Sequence, residues 1–592
     1  MANTLRPGGA LLKTMALFAA MISSLAFSQE PSEALRKADA AYRAGEAALS
    51  RRDMSAAQTD FELVVRLAPQ AEQGHSALGA VLVSRGYTQN GIHELEKALA
   101  MNANDSAAET NLALAFEQTG SPEKAIPLFA RLEAAARRQG HTLSPSLIEA
   151  YARALAETHK LRAAAVEMKA AVALDPQNAE LRDELGSLYA QQLDWTNAQR
   201  EFTAAVRLKP DFAVAHLHLG IAMRAQGQAN GLSEIVQASQ LEPQNATIAL
   251  ELGRALAADG HDDQAIPAFE HAVELDPGST AASYQLALAL QRTNEVQEAI
   301  VLLKKVVAAE PNNTEAMTNL GMALCQAQQA KDAVPILQRA VALNPGSVTT
   351  HEDLAAAFVQ LSQFQDAVGE LRAALKLAPN RPQLHYDLGF ALKMQDDAAG
   401  AIPELETAER LNPSAPETPY LLGILYMQAG RYEDASREMN LSLTLRPNNS
   451  DGWATLGSVY ENLNKLPEAA SALHEAIREN PTQPDAYLTL ASVLTKQNQP
   501  EQAKAERKKA ADLMRAHMNY QRAEVSTNAG NSLLRSGDVA GAILQFQDAL
   551  SYDPNYAEAH LGLANALDRE GKTVDAAAER QRAVASKATP NP

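Results

Sequence analysis

Apolar and small residues recur along this chain at helical spacing, in short paired segments. In the unit Asn313 to Pro345, the stretch Thr314–Ala327 carries Ala316, Leu320, Ala323 and Leu324. The stretch Lys331–Leu343 carries Ala333, Val334, Leu337, Ala340 and Val341. Steps of three and four mark one face of a helix, so two helices are predicted, with the QAQQA segment as the turn between them. Asn344-Pro345 stops the second, because proline disfavours helix in the residue before it.

The same unit returns at a fixed interval. Prolines fall at Pro176, Pro210, Pro243, Pro277, Pro311, Pro345, Pro379, Pro413, Pro447 and Pro481, spaced by 34 residues with one step of 33. Ten residues past each sits Gly or Ala, as at Gly186, Gly220, Gly253, Ala287, Gly321, Ala355 and Gly389. Twelve before most of them sits Ala, as at Ala198, Ala265 and Ala401, followed four later by Phe202, Phe269 and Leu405. Glycine inside a helix costs about 1 kcal/mol against alanine, so its recurrence predicts two helices crossing at close range over a large apolar side chain.

These residues resemble the tetratricopeptide repeat, whose pattern is W-x2-L-G-x2-Y, then A-x3-F, A and P over about 34 residues. DGWATLGSVY (Asp451–Tyr460), Ala469, Leu473, Ala476 and Pro481 follow it almost fully. The resemblance implies an all-α fold, an α-solenoid of about sixteen stacked helix-turn-helix units wound as a right-handed superhelix. Units begin by Ala38 and run to Ala583. The register slips twice, between Ala103 and Pro176 and between Pro481 and Pro554, where each interval is 73 residues, or 34 plus 39. A lengthened second helix is expected at each slip, before Gly140 and through EQAKAERKKAADLMRAHMNYQRAE. The expected organisation is a signal at 1–28, repeats at 29–140, repeats at 141–520, and two last repeats with a polar cap and tail at 521–592. Pro127, Pro267, Pro335 and Pro403 are expected in the first turn of their helices, where a missing amide costs little.

Before the repeats, Arg6 and Lys13 precede the apolar run Met15–Phe27, and Ala26-Phe27-Ser28 offers a cleavage site. That is the pattern of a secretory signal peptide, and the run falls short of the roughly 20 apolar residues of a membrane span. Export to a bacterial periplasm or beyond is the expectation. The net charge of −19 argues against nucleic acid as a partner, since phosphate neutralisation needs a basic surface. The single cysteine, Cys325, excludes intrachain disulfides and cysteine-based zinc sites.

No signature of metalloprotease, nucleotide, dinucleotide, serine-hydrolase or calcium chemistry occurs, so neither catalysis, cofactor nor metal is expected. His216 and His218 lie two apart on a helix and point to different faces. They read as partly exposed, non-ligating side chains. His261-Asp262-Asp263 lies in a turn, with Asp262 at or near a helix N-cap.

In the family, the first helix of each repeat lines the groove. The resemblance therefore places Tyr386, Phe390 and Met394, then Tyr420, Ile424 and Met427, on that face, with Arg224, Arg254 and Arg292 in equivalent rows of earlier units. This suggests an anchor for apolar side chains beside one for acidic groups. The alternative is that the apolar stripe packs on the neighbouring repeat. The carboxylate clamp of chaperone-binding relatives is absent, since its matching positions hold Asp183, Leu217, Leu250, Tyr284, Thr318 and Glu352. The implied partner is a protein or peptide segment. The alternative is a scaffold within an exopolysaccharide synthesis or secretion machine.

Overall fold

The computed structural model describes residues 33–586. The expected signal at 1–28 lies outside them. Among the described residues there are 31 helices and no strand. They form two compact units, 33–295 and 296–586, and within each unit every helix packs on its chain neighbours. Many first helices also touch the first helix of the next repeat, as in a stacked solenoid.

A typical repeat pairs Ala179–Gln191 with Trp195–Leu208. The crossing follows the expected pattern. A Cβ placed on Gly186 would sit 2.6 Å from the ring of Phe202, and one on Gly253 2.5 Å from Phe269. Phe202 and Phe269 are buried, and Ala198 and Ala265 flank them without any exposure. The small residue is what allows the backbones to approach.

The turn within each repeat closes the same way throughout. Leu193 takes the left-handed conformation at φ 59°. Its amide donates to the Ala190 carbonyl at 2.9 Å, and the Asp194 amide donates to the Tyr189 carbonyl at 2.9 Å. This is a Schellman closure, which satisfies carbonyls the helix end leaves open. From Arg52 to Gly571, nine non-glycine residues and seven glycines fill this left-handed place.

One feature differs from the sequence expectation. The prolines 127, 267, 335 and 403 are the sixth residues of their helices, not members of the first turn. Each therefore removes a bond that the carbonyl four residues earlier would otherwise accept. His261 is the N-cap and Asp262, expected at or near it, begins the helix.

The two register slips are built differently. The helix Pro122–Arg138 runs to 17 residues before Gly140, at φ 76°, and a short segment leads to Pro145–Glu157. At the second slip, one helix of 37 residues, Pro500–Ser536, takes the place of a second helix, a junction and a first helix. Its N-terminal half packs Ala503 with Leu490, Ala491 and Leu494. Its C-terminal half brings Gly530 over Phe546, where a Cβ would sit 2.7 Å from the ring. Residue 520 lies inside this helix. Sixteen helical pairs thus appear as 31 helices because two of them share one rod.

Candidate interaction surfaces

The first-helix faces carry the residues singled out in the sequence, and they do not behave alike. Arg224 is engaged with the next repeat. Its guanidinium donates to both Asp259 oxygens at 2.6 and 2.8 Å, and to the Ala255 carbonyl at 3.0 Å. That hydrogen bond holds the Asp259 carboxyl below its ordinary value. Arg292 grips Asp262 in the same forked manner, at 2.6 to 3.0 Å. Arg254 pairs with Glu251 on its own helix at 2.6 Å. A planar guanidinium matched to a carboxylate is a strong geometry. Arg224 and Arg292 therefore tie separate helices together, while Arg254 pairs within its own helix, so the three do not form a uniform open row.

The apolar residues of both helices are half-buried, apart from Met394. Tyr420 and Ile424, on helix Glu417–Gln428, pack against the core of Met439, Leu443 and Leu456. Met427 is half-buried. On helix Pro382–Met394, Tyr386 and Phe390 are half-buried and Met394 is 41% exposed. These three side chains follow each other at steps of four, so they share one face. Burial pushes the carboxyl of Asp387, next to Tyr386 in sequence, up to about 6, and that of Asp353, on helix Val348–Gln360, up to about 7. Desolvation of this kind disfavours the charged form.

An acidic counterpart lies in the first unit. Arg153 contacts Glu149 at 2.7 Å, Glu117 at 3.3 Å and Glu184 at 4.0 Å. One cation faces three carboxylates from three consecutive repeats. Burial, with Glu149 next, raises the Glu184 carboxyl to about 7.

A recurrent histidine latch has no counterpart in the sequence reading. His216 is buried rather than partly exposed. Its Nδ1 lies 2.7 Å from Glu234 of the second helix, and its Nε2 lies 3.1 Å from the Pro210 carbonyl. His75, His351, His385 and His560 repeat this arrangement with Glu94, Glu370, Glu404 and Glu579 and with the carbonyls of Pro69, Pro345, Pro379 and Pro554. Trp453 and Tyr487 stand at the same place and donate to Pro447 and Pro481 at 2.8 and 3.0 Å. The sequence signal exists: a polar-tipped ring six residues past seven of the closing prolines, at His75, His216, His351, His385, Trp453, Tyr487 and His560. The latch fastens each first helix to the preceding junction and, through the glutamate, to its own second helix. His218 instead meets Asp183 of the previous repeat at 2.9 Å.

Cys325 is buried, and burial pushes its thiol up to about 11, which marks a structural rather than a reactive group. Among the described residues, no group of three or more His, Cys, Asp or Glu could hold a metal ion. No described helix is long and apolar enough to cross a membrane.

Comparisons with known proteins agree with this architecture. Tetratricopeptide-repeat models match residues 77–140, 184–231 and 527–591, and residues 324–388, 392–459 and 463–522. The model of the cytochrome c-type biogenesis protein H TPR domain matches residues 236–347. This is a chain of tetratricopeptide repeats. A curated relative, cellulose synthase operon protein C of Xanthomonas axonopodis pv. citri (strain 306), is 33% identical over 149 residues. The match spans 25% of this chain but only 10% of that protein. Among solved structures, the chain is similar to the APC/C hetero-tetramer Cut9-Hcn1, at 15% identity and a TM-score of 0.34, covering 90% of this chain and 96% of that one. It is also similar to YrrB, described as a TPR protein with an unusual peptide-binding site, at 20% identity and a TM-score of 0.29, covering 33% and 97%. MamA from Desulfovibrio magneticus RS-1 follows at 23% identity and a TM-score of 0.28, covering 28% and 96%.

Proposed function

We propose that this chain is an exported, non-enzymatic scaffold that holds a protein or peptide segment along its first-helix face. The observation that carries this reading is the part-exposed apolar line shared by two consecutive first helices. Tyr386 and Phe390 are half-buried and Met394 is exposed, and Tyr420, Ile424 and Met427 of the next first helix are half-buried too, which leaves a half-open apolar line on a repeated surface. Large side chains left in this state on a rigid frame suit the anchoring of a few partner side chains. The arginines are no longer part of the site, because Arg224 and Arg292 are committed to Asp259 and Asp262. Export rests on the apolar run Met15–Phe27 behind Arg6 and Lys13.

The test is capture from an envelope extract with the mature chain as bait. A defined protein retained by the wild type and lost with Tyr386→Ala plus Phe390→Ala supports the reading. Unchanged capture by that double variant overturns the assigned surface. A second reading, a scaffold in polysaccharide synthesis or secretion, draws support from the partial similarity to cellulose synthase operon protein C. Retention on a polysaccharide column, insensitive to the double variant, favours it.

A further inference from the structure

The long helix Pro500–Ser536 presents a face that nothing in the second unit covers. Its buried side begins with Ala503 and Ala510 and passes to Ala523, Ser526, Thr527, Gly530 and Leu534. The outward side follows alternating steps of three and four through Ala511, Met514, Met518, Gln521 and Val525, all exposed. Met514 is 43% exposed, Met518 47% and Val525 69%, values far from those of a packed core. This is the a/d spacing of a coiled-coil seam. Lys508, Arg515 and Arg522 stand beside it at steps of seven, also exposed; Arg515 meets Asp512 of its own helix at 3.5 Å, a solvent-exposed pair, and the Arg522 guanidinium lies 5.6 Å from the centre of the Tyr552 ring. Each occupies the flanking position that selects a coiled-coil partner by charge.

We propose that this seam docks an acidic amphipathic helix of another protein, one with apolar residues on its contact line and carboxylates beside it. Three cations on one flank of an apolar line, in a chain of net charge −19, set the required complement. A second copy of this chain does not supply it. Antiparallel self-pairing sets Lys508, Arg515 and Arg522 against their own kind. Parallel pairing needs the opposite flank, where Ala503 and Ala510 are buried within their own unit. The carboxylates of Glu506 and Asp512 lie off the seam, and Glu524 flanks its far end.

The test uses the full chain and two synthetic helical peptides with leucine on the contact line, one carrying glutamate and the other lysine at the flanking positions. Fluorescence anisotropy is expected to show the glutamate peptide binding at least about tenfold more tightly, with the difference shrinking as salt is raised. Lys508→Glu with Arg515→Glu and Arg522→Glu reverses the preference. Met514→Ser with Met518→Ser weakens both peptides while far-ultraviolet circular dichroism stays unchanged. The proposal is overturned by equal binding of the two peptides or by an unaltered preference in the triple variant. It is equally overturned by preferential binding to phosphatidylglycerol vesicles, or by self-association through this helix in sedimentation.

Discussion

The junction at Asn102–Asp105 and the middle of the helix Pro500–Ser536 both lack the proline that closes most repeats, yet only the first breaks. Around Ala103, Asn102 is extended at φ −138° and ψ 95°, and Asp105 caps the next helix by accepting from the amides of Ala107 and Ala108 at 3.0 and 3.1 Å. In the long helix the corresponding stretch is Ala510 to Ala516, ADLMRA in its core, with no glycine and no Asx cap. Short polar side chains that compete for backbone amides end a helix as surely as proline does. Here Asp512 lies within the helix and caps nothing, and strong helix formers such as Ala, Leu, Met and Arg carry the rod onward. Both regions keep the devices inside the repeat, the close crossing and the left-handed turn. Only the link between repeats has changed.

The largest expected effect comes from breaking the rod. Ala516→Pro removes an internal bond and sets its ring against the Asp512 carbonyl, at a cost of about 3 kcal/mol. A lower thermal midpoint and a new protease-sensitive site near 516 are expected, and unchanged digestion would contradict the account of the fused helix. Next comes the crossing that both regions share. Gly253→Val forces a side chain into the ring of Phe269 and should cost about 2 kcal/mol in urea unfolding. The turn gives a gain. Leu193 is 73% exposed and left-handed, so Leu193→Gly relieves strain of about 1 kcal/mol, visible as a raised midpoint. At the proline-free junction that does break, Ala103→Pro meets an extended preceding residue and should stabilise by about 0.5 kcal/mol.

The smallest effect concerns polar contacts between repeats. Glu184 has its carboxyl raised to about 7 in the folded chain, so between its ordinary value and 7 the folded state holds more proton than the unfolded one. Stability from this group is therefore present at low pH and lost as pH rises through about 7. Comparing midpoints at pH 5 and pH 8, Glu184→Gln should show a smaller fall than the wild type. An equal fall would remove Glu184 as the cause.

Much of this molecule follows from spacing along the chain. The 34-residue period, the paired helices, the resumption at Gly530 and the fit of Gly186 to Phe202 depend on residues within one repeat, so local sequence determines them. Side chains that meet across repeats obey no such rule. Arg224 and Asp259 are 35 residues apart, and only stacking brings them together and withdraws the arginine from any ligand. Stacking likewise left Tyr386 and Tyr420, which occupy the same place in their repeats, both half-buried. The fusion at residues 511–522 lies between these cases: its composition favoured helix, but packing of both halves against separate neighbours fixed it as one rod. Period and pairing are thus encoded by contacts close in sequence, while the open surfaces are what remains after distant neighbours have claimed the rest.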